Sequence, residues 1–233
     1  MSNDIKIKNG LTINLKGAAQ NIIKKAAHPK SVSLNPSNFH LITPKVVVKV
    51  GEEVQQGDVI FFSKNDNRIK FCSPIDGTIK DIIRGAKRKI IEIIIDTDQN
   101  QSLKDTKSIN FQDLSSEELK SVLLDSGCWP FIKQRPYDII ANPNDTPKSI
   151  FISAFNSAPI SADLQIILED QKEEFKLGIK VLSKLSDGNI NICVDKNSST
   201  FINEIEDIKV HRINGPHPAG NVGVQIHHID PVN

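Results

Sequence analysis

Cysteine, methionine, tyrosine and tryptophan are all scarce in this 233-residue chain, and neither sign of charge is in excess. Its three cysteines, Cys72, Cys128 and Cys193, are each more than fifty residues from the next. No Cys-x-x-Cys pair is therefore present to bind zinc or an iron–sulfur cluster, and we expect three reduced, buried thiols. The 29 basic and 28 acidic residues leave a net charge of +1, which excludes a strongly basic nucleic-acid binder.

Long apolar runs are also missing. The longest apolar-rich stretch, Ile90–Ile95, is interrupted by Glu92, whereas a membrane-spanning helix requires about 20 mainly apolar residues. The N-terminus alternates charged residues with isoleucine and lacks the apolar core of a secretory signal. We therefore predict no transmembrane helix and, by default, a cytosolic location.

The first half of the chain is predicted to form a compact β module over residues 41–98, preceded by an N-terminal segment, residues 1–40. Short runs of β-branched residues between 46 and 96 are separated by turns that contain glycine. This pattern is expected of hairpins whose turns require a positive φ. The turn glycines are Gly51, Gly57, Gly77 and Gly85.

Residues 99–108 are polar, which is typical of a linker between two folded units. Beyond them the apolar residues adopt helical spacing. Ser115 and Glu118 form a capping box that predicts a helix over 116–126, and Gly127 ends it.

Residues 109–233 are predicted to form a three-layer α/β domain. Apolar runs at 150–154, 190–194 and 208–213 indicate strands, and a helical pattern lies over 164–188. Strands that alternate with helices indicate parallel β–α–β units. The whole chain is therefore expected to belong to the mixed α+β / α/β class.

Two stretches of the β module, residues 50–60 and 73–79, resemble the barrel-sandwich fold of biotinyl and lipoyl domains. Those domains carry a modified lysine between two methionines at a hairpin tip. The matching stretch here, residues 63–67, contains Lys64 but no neighbouring methionine. The resemblance therefore implies a structural module, with a swinging-arm carrier as the less favoured alternative.

Five further stretches point to one family: residues 5–11, 84–88, 126–137, 215–220 with its His-Pro-Ala-Gly sequence, and 225–232. In order along the chain they resemble the A subunit of the bacterial sodium-translocating NADH:quinone reductase. Members of that family are longer. The chain is thus similar to their N-terminal portion, and its α/β domain is expected to be incomplete.

That family is similar in fold to the flavin- and NADH-binding subunit of complex I, which uses a glycine-rich loop. The matching stretch here, residues 127–137, has one glycine, and bulky side chains keep backbone amides away from a phosphate. We therefore expect no cofactor on this chain. The resemblance implies that FMN, FAD, iron–sulfur and Na+ sites lie on other subunits and that ubiquinone is the substrate.

The same stretch is the leading candidate for chemistry, because it combines the single tryptophan and the single tyrosine with two cations. A quinone requires a flat apolar slot with donors at its carbonyl oxygens. The alternative is a rigid loop whose aromatic residues fill the core. Arg135 is the first choice of cation, because a lysine could turn to solvent. The candidate quinone-binding residues are Trp129, Phe131, Lys133, Arg135, Tyr137 and His217.

The C-terminal histidines His217, His227 and His228 lack the spacing of a metal site, and Asp230 is their one acidic neighbour in sequence. We expect His217 in a turn fixed by its two flanking prolines, and we predict no metal site.

The basic turn at residues 84–89 holds four cations, too few for a nucleic-acid footprint in a neutral chain. It is interpreted as a solvated hairpin, or as a contact for a membrane-subunit loop or anionic lipid.

The resemblance implies a peripheral subunit on the cytoplasmic face of the bacterial inner membrane, contributing to quinone binding and reduction coupled to Na+ export. The expected partners are the other subunits, especially a quinone-site membrane subunit, and no nucleic acid. The isolated chain is expected to be inactive. The alternative is a structural assembly module without a small-molecule site; a self-contained flavin oxidoreductase is disfavoured by the missing glycine loop.

Overall fold

The computed structural model describes residues 3–17, 20–98, 109–197 and 201–232, so the predicted linker at 99–108 lies outside the described residues. The strands are β1 (Asn3–Lys6), β2 (Ser31–Leu34), β3 (Pro44–Val46), β4 (Glu53–Val54), β5 (Val59–Ser63), β6 (Lys70–Cys72), β7 (Gly77–Arg84), β8 (Ile90–Thr97), β9 (Lys133–Gln134), β10 (Ile139–Ile140), β11 (Ser149–Ala154), β12 (Asn189–Asp195) and β13 (Lys209–Asn214). The α-helices are α1 (Ser116–Asp125), α2 (Leu164–Ile167), α3 (Lys172–Ser183) and α4 (Val222–Ile229).

The chain divides into two compact units, one over Ala26–Asp145 and one over Met1–Lys25 with Thr146–Asn233. The predicted N-terminal segment, residues 1–40, is shared between them, since β1 belongs to the second unit and β2 to the first. Helix α1, predicted at the start of the α/β domain, lies in the unit of the β module. Its last residue, Asp125, forms a 2.6 Å ion pair with Lys70 of β6.

In the unit Ala26–Asp145, antiparallel pairing builds two larger sheets, with strand orders β2-β8-β7-β4 and β3-β5-β6, and a two-stranded sheet of β10 and β9. Strand β8 buries alternate residues, whereas β5 buries Ile60 and Phe61 consecutively, at a register shift in its pairing with β6; these side chains form an apolar centre. Its fully buried members include Ile60, Phe61, Ile79, Ile93 and Ile95.

Glycine occupies the turns of this unit for two different physical reasons. Gly51 and Gly57 have φ of +86° and +90°, as predicted. Gly77 is extended instead, and a Cβ there would lie 2.1 Å from the carbonyl oxygen of Asp96, so close backbone approach requires the glycine. The prediction of a positive φ at Gly85 was wrong, because Lys87 and Arg88 adopt the left-handed conformation in that turn.

In the other unit, a parallel sheet has the order β1-β13-β12-β11 and is covered on both faces. On one face Ile192 of β12 packs in a cluster with Ile179 of α3. On the other, Cys193 packs with Val224 of α4. This is the predicted three-layer arrangement, and the fourth strand, β1, comes from the start of the chain. Within the described residues, no helix is long and apolar enough to cross a bilayer.

The helical pattern predicted over 164–188 forms two helices rather than one. Helix α2 ends at Ile167, and α3 begins at Lys172. Acidic residues are unfavourable at the C-terminal end of a helix and favourable in its first turn. The acidic residues of this stretch therefore favour a break: Glu169 and Asp170 lie between the helices, and Glu173 and Glu174 lie in the first turn of α3.

The three cysteines are reduced thiols, as expected, but the expectation that all are buried holds for one. Cys193 is fully buried in the parallel sheet, and this burial raises the pKa of its thiol to about 12. Cys72 is half-buried and Cys128 is exposed, because Cys128 lies at the surface turn that follows α1.

Candidate functional site

The aromatic–basic stretch forms a short hairpin, residues 128–142, which we call the aromatic–basic hairpin. Helix α1 ends at Asp125 with Ser126 as its C-cap, and Gly127, with φ +73°, leads into the hairpin. A Cβ on Gly127 would lie 2.7 Å from the Sγ of Cys72. Glycine is therefore required here both for the left-handed turn and for the close approach of the hairpin to β6.

Trp129 anchors the base of the hairpin. Its side chain is 3% exposed, and its Nε1 donates a 2.7 Å hydrogen bond to the carbonyl oxygen of Ala141. The amide of Ala141 donates in turn to the carbonyl of Ile132 at 2.9 Å, and β9 pairs with β10 in antiparallel register. The structure thus places Trp129 in the core, with its indole N–H already bonded.

Two other predicted residues, Phe131 and Tyr137, are on the surface. Phe131 is 78% exposed at the end of a 3₁₀ turn, and Tyr137 is 74% exposed at the hairpin tip. Leaving large aromatic side chains in water gives up the hydrophobic free energy of their burial. Their exposure therefore makes them available to a ligand or a partner.

The two cations of the hairpin have different surroundings. Arg135 is paired with Asp138, with 3.3 Å between Nη2 and Oδ1. Lys133 instead places its Nζ 5.7 Å from the centre of the Phe39 ring, within the range of a cation–π contact. The rings of Phe39 and Phe71 meet edge-on, with 4.6 Å between their centres. Sequence reasoning missed Phe39, because no local signal links it to a hairpin about ninety residues later.

His217, the sixth candidate, belongs to the other unit. Its Nδ1 lies 3.1 Å from the Oγ of Ser157, which also accepts a 2.7 Å hydrogen bond from the amide of Gly220. Its carbonyl oxygen accepts from the amide of Leu11 at 2.8 Å, and a cis peptide bond joins it to Pro218. These contacts tie the loop before α4 to the N-terminal segment.

The neighbouring histidines show no arrangement for a metal. The rings of His227 and His228 are 5.4 Å apart at the exposed end of α4. Asp230 pairs with Lys148, whose hydrogen bond lowers the pKa of that carboxyl group. Among the described residues, no group of three or more acidic, histidine or cysteine side chains could hold a metal ion.

A cleft of about 840 Å³ opens at the carboxyl ends of β11 and β12. This is the position where open parallel sheets bind ligands. Asp163 and Asp195 are among its lining residues, and the described residues that line it include no cation. The cleft therefore offers acceptors and apolar surface, but no charge-assisted donor.

Comparison with known proteins decides the family. A model described as the NqrA second alpha/beta domain matches residues 114–233, and one described as the NqrA N-terminal barrel-sandwich hybrid domain matches residues 5–98. The chain belongs to the NqrA family. The barrel-sandwich and α/β predictions and the family resemblance are thereby confirmed.

Relatives of this NqrA chain are named as the A subunit of Na(+)-translocating NADH-quinone reductase. The protein from Photorhabdus laumondii is 33% identical over 231 residues, covering 98% of this chain and 52% of its own length. The protein from Pseudomonas aeruginosa is 33% identical over 230 residues, with 98% and 51% covered. The chain thus spans about half the length of these curated relatives.

Proposed function

We propose that this chain is part of a sodium-translocating NADH:quinone reductase and that its aromatic–basic hairpin contacts the quinone headgroup. The names of the NqrA relatives support the first half of the proposal. The second half rests on one observation. Exposed aromatic side chains, Phe131 and Tyr137, occur in the same short hairpin as Lys133, which lies over the Phe39 ring.

The chemistry of a quinone matches these groups. Its flat ring is favoured by aromatic surfaces, and its carbonyl oxygens become strong acceptors only as electrons arrive. A cation at hydrogen-bond distance therefore stabilises the reduced ring more than the oxidised one, which is the differential binding that catalysis requires. Lys133 is the better placed cation, because Arg135 is already paired with the carboxylate of Asp138.

The cleft of the other unit is the competing position for a quinone. Its lining carboxylates, Asp163 and Asp195, would repel a ring that gains negative charge. The hairpin instead presents positive charge beside aromatic surface. The electrostatics therefore favour the hairpin over the cleft.

The remaining features of the role follow from this assignment. We propose a peripheral position on the cytoplasmic side of the membrane, with the other subunits of the complex as partners and ubiquinone as substrate. The chain carries no flavin, nicotinamide, metal or cluster of its own, and alone it is inactive. Similarity to the flavin-binding subunit of complex I stays a prediction, as does the alternative role of an assembly module.

Kinetics of the assembled complex test the proposal. Lys133→Ala should lower quinone kcat/KM by roughly 10- to 100-fold, the equivalent of about 1.5–3 kcal/mol for a charge-assisted hydrogen bond. NADH oxidation with an artificial acceptor should be unchanged. Lys172→Ala is the matched control, because that lysine lies 5.8 Å from the centre of the Phe201 ring in the other unit. Unchanged quinone kinetics for Lys133→Ala would favour the assembly-module alternative.

A further inference from the structure

The ribbon formed by β7 and β8 extends beyond its neighbours. Strand β4 pairs with Gly77 and Thr78, at the start of β7, and β2 pairs with residues 93–96 of β8. From Ile83 to Glu92 the two strands pair with each other and with no other described strand. We call this end of the ribbon, residues 83–92, the basic arm; its Ile90 is buried, and its turn residues 86–89 are exposed.

Four cations occupy the arm. Arg84, Lys87, Arg88 and Lys89 are all exposed, and none forms an ion pair with any described residue. Other cations of the same unit are paired, as Lys80 is with Asp96 at 2.9 Å. Unpaired like charges repel one another, and an anionic partner relieves that repulsion.

The backbone fixes the tip of the arm. The amide of Gly85 donates to the carbonyl oxygen of Lys89 at 2.8 Å, and the amide of Lys89 donates to the carbonyl oxygen of Ala86 at 3.2 Å. Lys87 and Arg88 both adopt left-handed backbone conformations, with φ of +54° and +58°. Such conformations cost free energy in residues other than glycine, and they are concentrated at functional sites.

An apolar side chain lies beside the charges. Ile91 is 46% exposed, and its Cδ1 would be only 2.7 Å from a Cβ built on Gly85, so it lies directly against that glycine. Cations next to an exposed aliphatic side chain are the combination found on segments that lie at a membrane surface.

We propose that the basic arm binds the anionic headgroup layer of a lipid bilayer. Its four cations contact lipid phosphates, and Ile91 enters the interfacial region. The choice of lipid as the anionic partner rests on the proposed function, since a sodium-translocating complex is surrounded by it. Each cation near such a surface contributes about fivefold to partitioning.

Sedimentation of the whole chain with lipid vesicles tests the proposal. Wild type should bind vesicles that contain phosphatidylglycerol, should not bind pure phosphatidylcholine vesicles, and should dissociate as NaCl is raised. K87E/R88E should weaken binding by at least about tenfold. The matched control is K24E/K25E, which changes the net charge equally at an exposed basic pair outside the arm.

Several outcomes would overturn the proposal: no binding of wild type to anionic vesicles, equal loss in the control, or full binding by K87E/R88E. Loss of complex assembly by K87E/R88E, in a chain that never binds vesicles, would assign the arm to an acidic protein instead. Quinone binding should be unchanged in K87E/R88E. A failure of the quinone proposal would therefore appear separately from a failure of the lipid proposal.

Discussion

Trp129 and Ala141 close the base of the aromatic–basic hairpin, where the indole Nε1 donates a 2.7 Å hydrogen bond to the backbone carbonyl. Trp129→Phe removes this donor while keeping an aromatic ring. The free energy of unfolding should fall by about 1–3 kcal/mol, because the carbonyl of Ala141 loses its partner. Urea unfolding measures the change. Tyr137→Phe, at a 74% exposed position, should stay within about 0.5 kcal/mol of wild type. A Trp129→Phe variant with the same free energy of unfolding as wild type would contradict the anchoring role of Trp129.

Gly127 and Gly178 should respond in opposite directions to alanine. At Gly127 the new methyl group would lie 2.7 Å from the Sγ of Cys72, and φ is +73°, so Gly127→Ala should cost about 1–3 kcal/mol. Gly178 lies inside α3 with nothing within 4 Å of the added Cβ. Gly178→Ala should therefore stabilise by about 0.5–1 kcal/mol. Thermal unfolding measures the change in stability of each variant. A change of the same sign in both variants would contradict the prediction.

His211 should make stability fall in mild acid. Burial, followed by the charge of Lys209, lowers the pKa of His211 below its ordinary value of 6.5. Its Nε2 lies 2.9 Å from the Oδ1 of Asn191, and its Nδ1 has no partner among the described residues. As pH falls below about 6.5, the unfolded chain binds a proton that the folded chain does not, so the free energy of unfolding decreases.

The measurement is the difference in unfolding free energy between wild type and His211→Gln from pH 7.5 to 5. Groups that titrate in both proteins cancel, so the difference isolates His211. It should shrink toward acid pH. A constant difference would mean that His211 has an ordinary pKa in the folded chain.

The thiols should react with Ellman's reagent at very different rates. Cys128 is exposed and should react within the first phase. Cys193 is fully buried, and burial raises the pKa of its thiol to about 12, so it should react only when the chain unfolds. Cys128→Ser should remove the fast phase. Persistence of that phase in Cys128→Ser would contradict the assigned exposure.

Local signals in the sequence predicted local structure well. The capping box of Ser115 and Glu118 is present with both of its hydrogen bonds, and Gly51 and Gly57 have the positive φ expected of their turns. These features depend on interactions between residues a few positions apart. The chain therefore carries their signal in a window that pattern reasoning can examine.

Long-range relationships were harder to predict. Strand β1 pairs with β13 across more than two hundred residues, and a four-residue segment with a single isoleucine between two charged residues gives no sign of a parallel partner. The contact of Lys133 with Phe39 also joins residues far apart in sequence. It is the reason why Lys133 replaces Arg135 as the candidate cation. The pairing of Arg135 with Asp138 spans three residues, but it depends on a turn geometry that the sequence does not specify.

The single tryptophan provides the most direct measurement of the central claim, that the aromatic–basic hairpin binds quinone. Trp129 lies at the base of the hairpin, and a bound quinone quenches indole emission at short range. Titration with a short-chain ubiquinone analogue should quench the emission of wild type saturably. Phe131→Ala and Lys133→Ala should each weaken the apparent affinity by roughly tenfold, whereas Lys172→Ala should match wild type. Quenching that never saturates, or that is identical in all four proteins, would contradict the claim.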